Sequence, residues 1–155
     1  MSNLRDLFEY NTWANNQILA VTDKLSEEQR TAPMTELGGS VQELLAHTAM
    51  VEAAFLGLMT GIQRASKLDQ NSYPDLRALF EHNSSNFLAS MEGLEARAGE
   101  QFNVPWFARS FTIEQGLTQV ATHSVQHRAG ICAGIARAGH EAPGIDYIMW
   151  LNVHR

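Results

Sequence analysis

The sequence predicts an all-α fold, a four-helix bundle, and three observations support it. Apolar residues recur mostly at helical spacing, with no convincing run of strict alternation. Four such stretches follow one another, bounded by capping residues, glycines or proline. Helices that each bury one apolar stripe, with no sheet to cover them, pack on one another.

The first helix is expected over roughly Leu4 to Leu25, with Leu4, Leu7, Phe8, Ala14, Ile18 and Leu25 on one stripe. Asn11 and Asn15 fall on that stripe too. Buried amides need partners, so they bond neighbouring helices or line a pocket; the first is preferred. "SEEQR" (Ser26 to Arg30) reads as a short helical turn capped by Ser26. "TELGGS" then breaks the chain, and Ser40 caps a second helix carrying Val41, Leu44, Leu45, Val51, Phe55, Leu58 and Met59 before Gly61. A polar connection, "GIQRASKLDQNS", leads to "SYPD", where Ser72 is the expected N-cap and Pro74 and Asp75 suit a first turn. The third helix buries Leu76, Leu79, Phe80, Phe87, Met91 and Leu94. Gly99 to Ser110, "GEQFNVPWFARS", lacks a helical period and reads as an irregular, partly buried segment with a little β structure. Thr112 and Gln115 form a capping-box pair for the fourth helix, which runs to about Ala138 and stops at Gly139. "APGIDYIMWL" adds a short C-terminal helical segment expected to pack Ile148, Trp150 and Leu151 on the bundle.

At 155 residues the chain is expected to form a single domain, residues 1–155. A hydrophobic content of 45% against 18% charged residues is globular composition. The net charge of -6 and 11 scattered basic residues argue against nucleic acid as a partner. The opening "MSNLRDLFEYNTW" lacks the apolar core of a signal peptide, and no run of about 18 apolar residues could span a bilayer, so no membrane partner and a cytoplasmic location are expected. The single cysteine, Cys132, excludes an internal disulfide and a cysteine-rich zinc site. It falls opposite His123 on its helix and reads as a small packing residue.

The chemistry is concentrated in "ATHSVQHRAG" (Ala121 to Gly130). His123 and His127 lie one turn apart, about 40° around the helix. Their Cβ atoms are then about 5–6 Å apart, close enough to converge on one ion. Gly116, Gly130 and Gly134 share that sector and suggest either close approach of a neighbouring helix or open volume. His47 flanks the apolar arc of the second helix beside Val51, Ala54 and Leu58. Two helices thus aim imidazoles at the bundle interior, and the candidate metal set is His47, His123 and His127. His82, His140 and His154 are left outside it: the first projects away from its stripe, the others follow the last bundle helix. Three histidines without a fourth protein ligand leave positions open to water or substrate, as catalytic sites do. Zinc and nickel lead as the divalent metal ion, with iron and cobalt as further candidates. Gln126 stands where HExxH metalloproteases have glutamate, and no Glu-x-x-His pair of di-iron bundles is present, so one mononuclear ion is expected. Glu52 lies about 140° around its helix from His47; it could support the site or transfer a proton only if packing turns it inward, and the preferred reading is a salt-bridging or partly solvated residue.

"LFEYNTWANNQIL" (Leu7 to Leu19), "ELLAHTAMVE" (Glu43 to Glu52) and "THSVQHRAGICAGIARAGHEAPGIDYIMWL" (Thr122 to Leu151) together resemble the DinB/YfiT-like bacterial proteins over nearly the whole chain. The resemblance implies a metal-binding four-helix bundle, often a homodimer, with one histidine ligand on the second helix and two on the fourth. Those positions match His47, His123 and His127. The histidine-arginine-glycine-glutamine that often follows the last ligand is here "HRAG", with Ala129 and Gly130. Relatives include thiol-dependent transferases and isomerases that use mycothiol or bacillithiol.

The leading functional expectation is therefore a mononuclear metal-dependent enzyme activating a low-molecular-weight thiol cosubstrate for transfer to a small-molecule electrophile. Tyr10, Asn11 and Trp13 are candidate pocket or packing residues, with packing preferred for Trp13. Two alternatives stand beside it: a metal-dependent hydrolase using metal-bound hydroxide, and a non-catalytic metal-binding stress-response module.

Overall fold

The structure, a computed structural model, describes residues 3–155; the first two residues of the expected 1–155 domain lie outside it. Four long helices form the bundle: α1 (Asn3–Thr22), α3 (Val41–Thr60), α4 (Tyr73–Ala96) and α5 (Ile113–Arg137). A short α2 (Glu27–Thr31) joins α1 to α3, a hairpin of β1 (Gln101–Asn103) and β2 (Ser110–Thr112) precedes α5, and α6 (Tyr147–His154) closes the chain. α1 packs on α4 and α5, and α3 packs on the same two helices, so α1 and α3 occupy opposite corners.

The helix boundaries follow from their caps. Ser26, Ser40 and Thr112 each form the predicted N-cap, with reciprocal bonds to Gln29, Glu43 and Gln115. α1 stops at Thr22, before the predicted Leu25, because Lys24 and Leu25 bond back three residues in a tightening turn. Leu25 still reaches the core. Ser72 occupies the N-cap of α4 without a side-chain bond. α5 ends as a Schellman motif: Gly139, at φ 82°, and His140 donate backbone N–H groups to Ala136 and Ile135.

The core has two main clusters along the bundle. One gathers Ile18, Leu19, Val41, Leu44, Leu45, Leu76, Leu79 and Ile135; the other gathers Phe8, Phe55, Leu56, Phe87, Met91, Leu117 and Val120. The glycines of α5 serve close packing rather than open space. A Cβ at Gly134 would lie 2.4 Å from Val41 Cγ2, and one at Gly116 would lie 2.7 Å from Met59 Sδ. The space beside Gly130 is likewise narrowed by Leu44, 3.1 Å from a built Cβ. The segment expected to be irregular is a true hairpin pairing Phe102 with Phe111, connected by an aromatic loop.

α6 corrects one expectation. Trp150 is buried against Tyr10 and Leu151 is half-buried, but Ile148 is 69% exposed. On a helix, positions 148 and 150 point some 200° apart, so both cannot face one surface. Tyr10 Oη also donates to the carbonyl of Ile145 at 2.7 Å, fixing the chain just before α6.

Candidate metal centre

The centre is assembled by the crossing of α3 and α5. His47 comes from the second turn of α3, His123 and His127 from successive turns of α5. His123 Nε2 lies 3.1 Å from His47 Nε2 and 3.0 Å from His127 Nε2. One ligand nitrogen from each residue lies within 4.8 Å of the other two. All three candidate residues named from sequence therefore come together; His82, His140 and His154 stay outside the group, as expected. His82 instead meets the carbonyl of Gln63, and His154 stacks on Trp150.

Hydrogen bonding does not satisfy this arrangement. A neutral imidazole nitrogen carries either one proton or one lone pair. His123 Nε2 can therefore complete a bond with only one of its two neighbours. A divalent ion about 2.0–2.1 Å from each nitrogen holds tetrahedral donors about 3.3 Å apart, close to the spacings seen here. The donor set thus fits such an ion. Burial pushes the His123 imidazolium pKa down to about 4, and the neighbouring His127 and His47 add to the effect. His127 is lowered by burial and then by His47. Both rings are neutral near pH 7, with lone pairs available to an ion. His123 Nδ1 is buried without a hydrogen-bond partner, so the packing of α5, not an acceptor, orients its ring.

The cluster stands at the edge of the core. His47 is exposed, while His123 and His127 are half-buried. Two concavities flank it. On the His123 side a cavity of about 560 Å³ runs between α3, α5 and the hairpin, with Phe55, Trp106, Phe107, Phe111 and Arg109 in its walls. On the His47 side lies a more polar cleft beside Thr31, Thr35, Gly38 and Glu43.

Glu52 is where the sequence reading fails most clearly. It is 2% exposed and forms no surface ion pair. Its Oε1 accepts from Asn11 Nδ2 at 2.9 Å, Asn15 Nδ2 at 3.1 Å and Ser124 Oγ at 3.0 Å. Arg128 Nη1 in turn donates to Oδ1 of Asn11 at 2.6 Å and of Asn15 at 2.8 Å. The two asparagines thus turn their amino groups to the carboxylate and their carbonyls to the guanidinium. This satisfies the preferred reading of Asn11 and Asn15 as bonds between helices. Burial pushes the Glu52 carboxyl up, opposed by its three donors and the Arg128 charge. Burial also pulls Arg128 down. None of these bonds reaches a histidine. The network ties α1, α3 and α5 together inside the bundle, behind the ligand-bearing faces.

A signal for both buried charges was present. Glu52 continues the Leu45, Thr48, Phe55, Met59 stripe, and Arg128 sits between Ser124 and Ile131 on another. Tyr10 and Trp13 pack in the α1–α6 aromatic cluster, beside His154 rather than the candidate ligands. The aromatic cavity had no comparable signal, because the hairpin loop carries no period that relates it to α3.

Comparison with known proteins supplies a family. Residues 1–153 match the family described as the DinB family. The chain is 24% identical over 162 aligned residues to "Protein DinB" of Bacillus subtilis (strain 168), covering 94% of this chain and 91% of that protein. With a match along almost its entire length, and a three-histidine group spanning two helices of a bundle, the chain belongs to the DinB family.

Proposed function

We propose that the protein is a mononuclear metal-dependent enzyme in which His47, His123 and His127 hold a divalent ion and a low-molecular-weight thiol is transferred to an electrophile. The observation that carries this reading is the convergence of three Nε2 atoms at a site flanked by two concavities. Such an ion supplies Lewis acidity, which lowers the pKa of a thiol so that it is held as the thiolate. In the transfer, sulfur forms a bond to the electrophilic carbon, the leaving group departs with its electron pair, and the thiol proton passes to solvent.

The chain's own contributions are positional. The neutral His123 and His127 supply lone pairs without first losing protons. The hairpin aromatics line one approach to the histidines, and the cleft beside His47 gives a second. Carboxylate placement favours thiol transfer over hydrolysis. Glu52 is occupied by three donors, and Glu43 caps the Ser40 N–H at 2.7 Å, so neither stands free as a general base.

The test uses untagged protein. About one equivalent of zinc or nickel per chain is expected, and His47→Ala should lose it. Calorimetric titration of the loaded protein with several small thiols should show binding, and a model electrophile should be conjugated. Metal uptake without thiol binding or conjugation would leave a non-catalytic metal module. Unchanged metal content in the His47 variant would remove the site itself.

A further inference from the structure

The cavity beside His123 carries a second message in its walls. Phe55 stands at 6.3 Å from Trp106 and 6.1 Å from Phe102, both edge-on, and Phe107 meets Phe111 at 5.7 Å. Trp106 and Phe107 nevertheless remain 59% and 56% exposed at the hairpin tip. Large aromatics left in water around a concavity are the usual wall of a ligand site.

Charge narrows the ligand further. In a chain of net charge -6, this cavity contains one formal charge, the Arg109 guanidinium, and no carboxylate. Arg109 lies 5.0 Å over the Phe111 ring, and no acidic side chain pairs with it among the described residues. Gln119 adds a neutral polar group on the way to His123. The cleft on the other side has the reverse character: its walls include Glu43 and no lysine or arginine.

We propose that the hairpin cavity binds an anionic molecule with an aromatic body, its ring among Phe55, Trp106 and Phe111 and its carboxylate on Arg109. The proposal rests on the functional reading above in one respect: this ligand would be the electrophile approaching from the His123 side. The cationic end fixes orientation, because Arg109 on the hairpin and His123 on α5 both border the same space. A ligand anchored by its acid on Arg109 presents its other end to the histidines.

The full-length protein, stripped of metal by a chelator, is titrated with 2-naphthylacetate and with its neutral analogue 2-naphthylacetamide. Heat release and tryptophan emission are followed. The acid is expected to bind about fivefold tighter than the amide, in keeping with a partly solvated charge-assisted contact. Arg109→Gln should abolish that preference while leaving amide affinity unchanged. Trp106→Ala should weaken both ligands alike. Arg109 and Trp106 are exposed, and circular dichroism checks that each variant folds. Equal affinities in the starting protein, no binding of either ligand, or a preference that survives Arg109→Gln would overturn the proposal. A preference that appears only after zinc is added and persists in the Arg109 variant would place the acid on the ion and also overturn it. Metal stoichiometry is read separately, so failure of the metal centre and failure of this cavity give different results.

Discussion

At the scale of single residues, the most consequential is Glu52, a carboxylate inside the bundle whose partners come from both other helices of the network. Removing it leaves two buried asparagine amides and a buried serine hydroxyl without their acceptor, and the buried Arg128 guanidinium without its counter-charge. Glu52→Ala is expected to lower unfolding free energy by about 3 kcal/mol, measured by urea denaturation. Glu52→Gln keeps a carbonyl acceptor at Oε1 and should lose less. If the two variants were equally unstable, the donors at Oε1 would not be what matters. Residue type misled the sequence reading here. A glutamate is read as solvated because charge is expensive to bury. Its position in the stripe of α3 pointed the other way, and three hydrogen-bond donors with the Arg128 charge nearby were enough for position to win.

At the scale of elements, the crossing of α3 and α5 sets the centre. Its closeness depends on small residues: Gly134 lets Val41 and Met34 in against the helix backbone. Gly134→Ala gains about 1 kcal/mol of intrinsic helix propensity. It also drives a methyl group to within 2.4 Å of a β-branched side chain that cannot rotate freely away. Overpacking of this kind costs about 1–3 kcal/mol, so a net loss of stability is expected, seen as a lower thermal midpoint. A stabilised variant would show that the helices can separate at no cost. The sequence revealed the helices, three of their side-chain caps and the α5 stop, because these are local signals within a few residues. It left open whether the glycines made room or removed it. That depends on which residues of α3 arrive opposite them, which no local pattern contains. The same limit hid the cavity wall: Phe55 and Trp106 meet from elements 51 residues apart.

At the scale of the whole molecule, two kinds of glue share the interior: apolar clusters toward either end and the Glu52–Arg128 network joining α1, α3 and α5. Among the described residues no helix is long and apolar enough to cross a membrane. The bundle and the histidine trio were legible from sequence because apolar stripes recurred at helical spacing and three histidines fell at the edges of two of them. The function of the concavities was not, since their walls mix α3, α5 and the hairpin.

The separation of the histidines along the chain has a further consequence. His47 and His123 are 76 residues apart, and an ion shared between them acts as a reversible cross-link over that length. Pinning so distant a pair removes chain entropy that an unfolded polypeptide would otherwise keep. A ligand that prefers the folded state at a hundredfold excess over its dissociation constant adds about 2.7 kcal/mol by mass action. The melting temperature should therefore climb with the logarithm of free zinc and fall back on chelation, and His127→Ala should flatten the dependence. A melting temperature indifferent to zinc would mean that no ion bridges the helices. Where the dependence holds, resistance to proteolysis becomes a gauge of metal supply, and scarcity would shorten the protein's lifetime before it altered its shape.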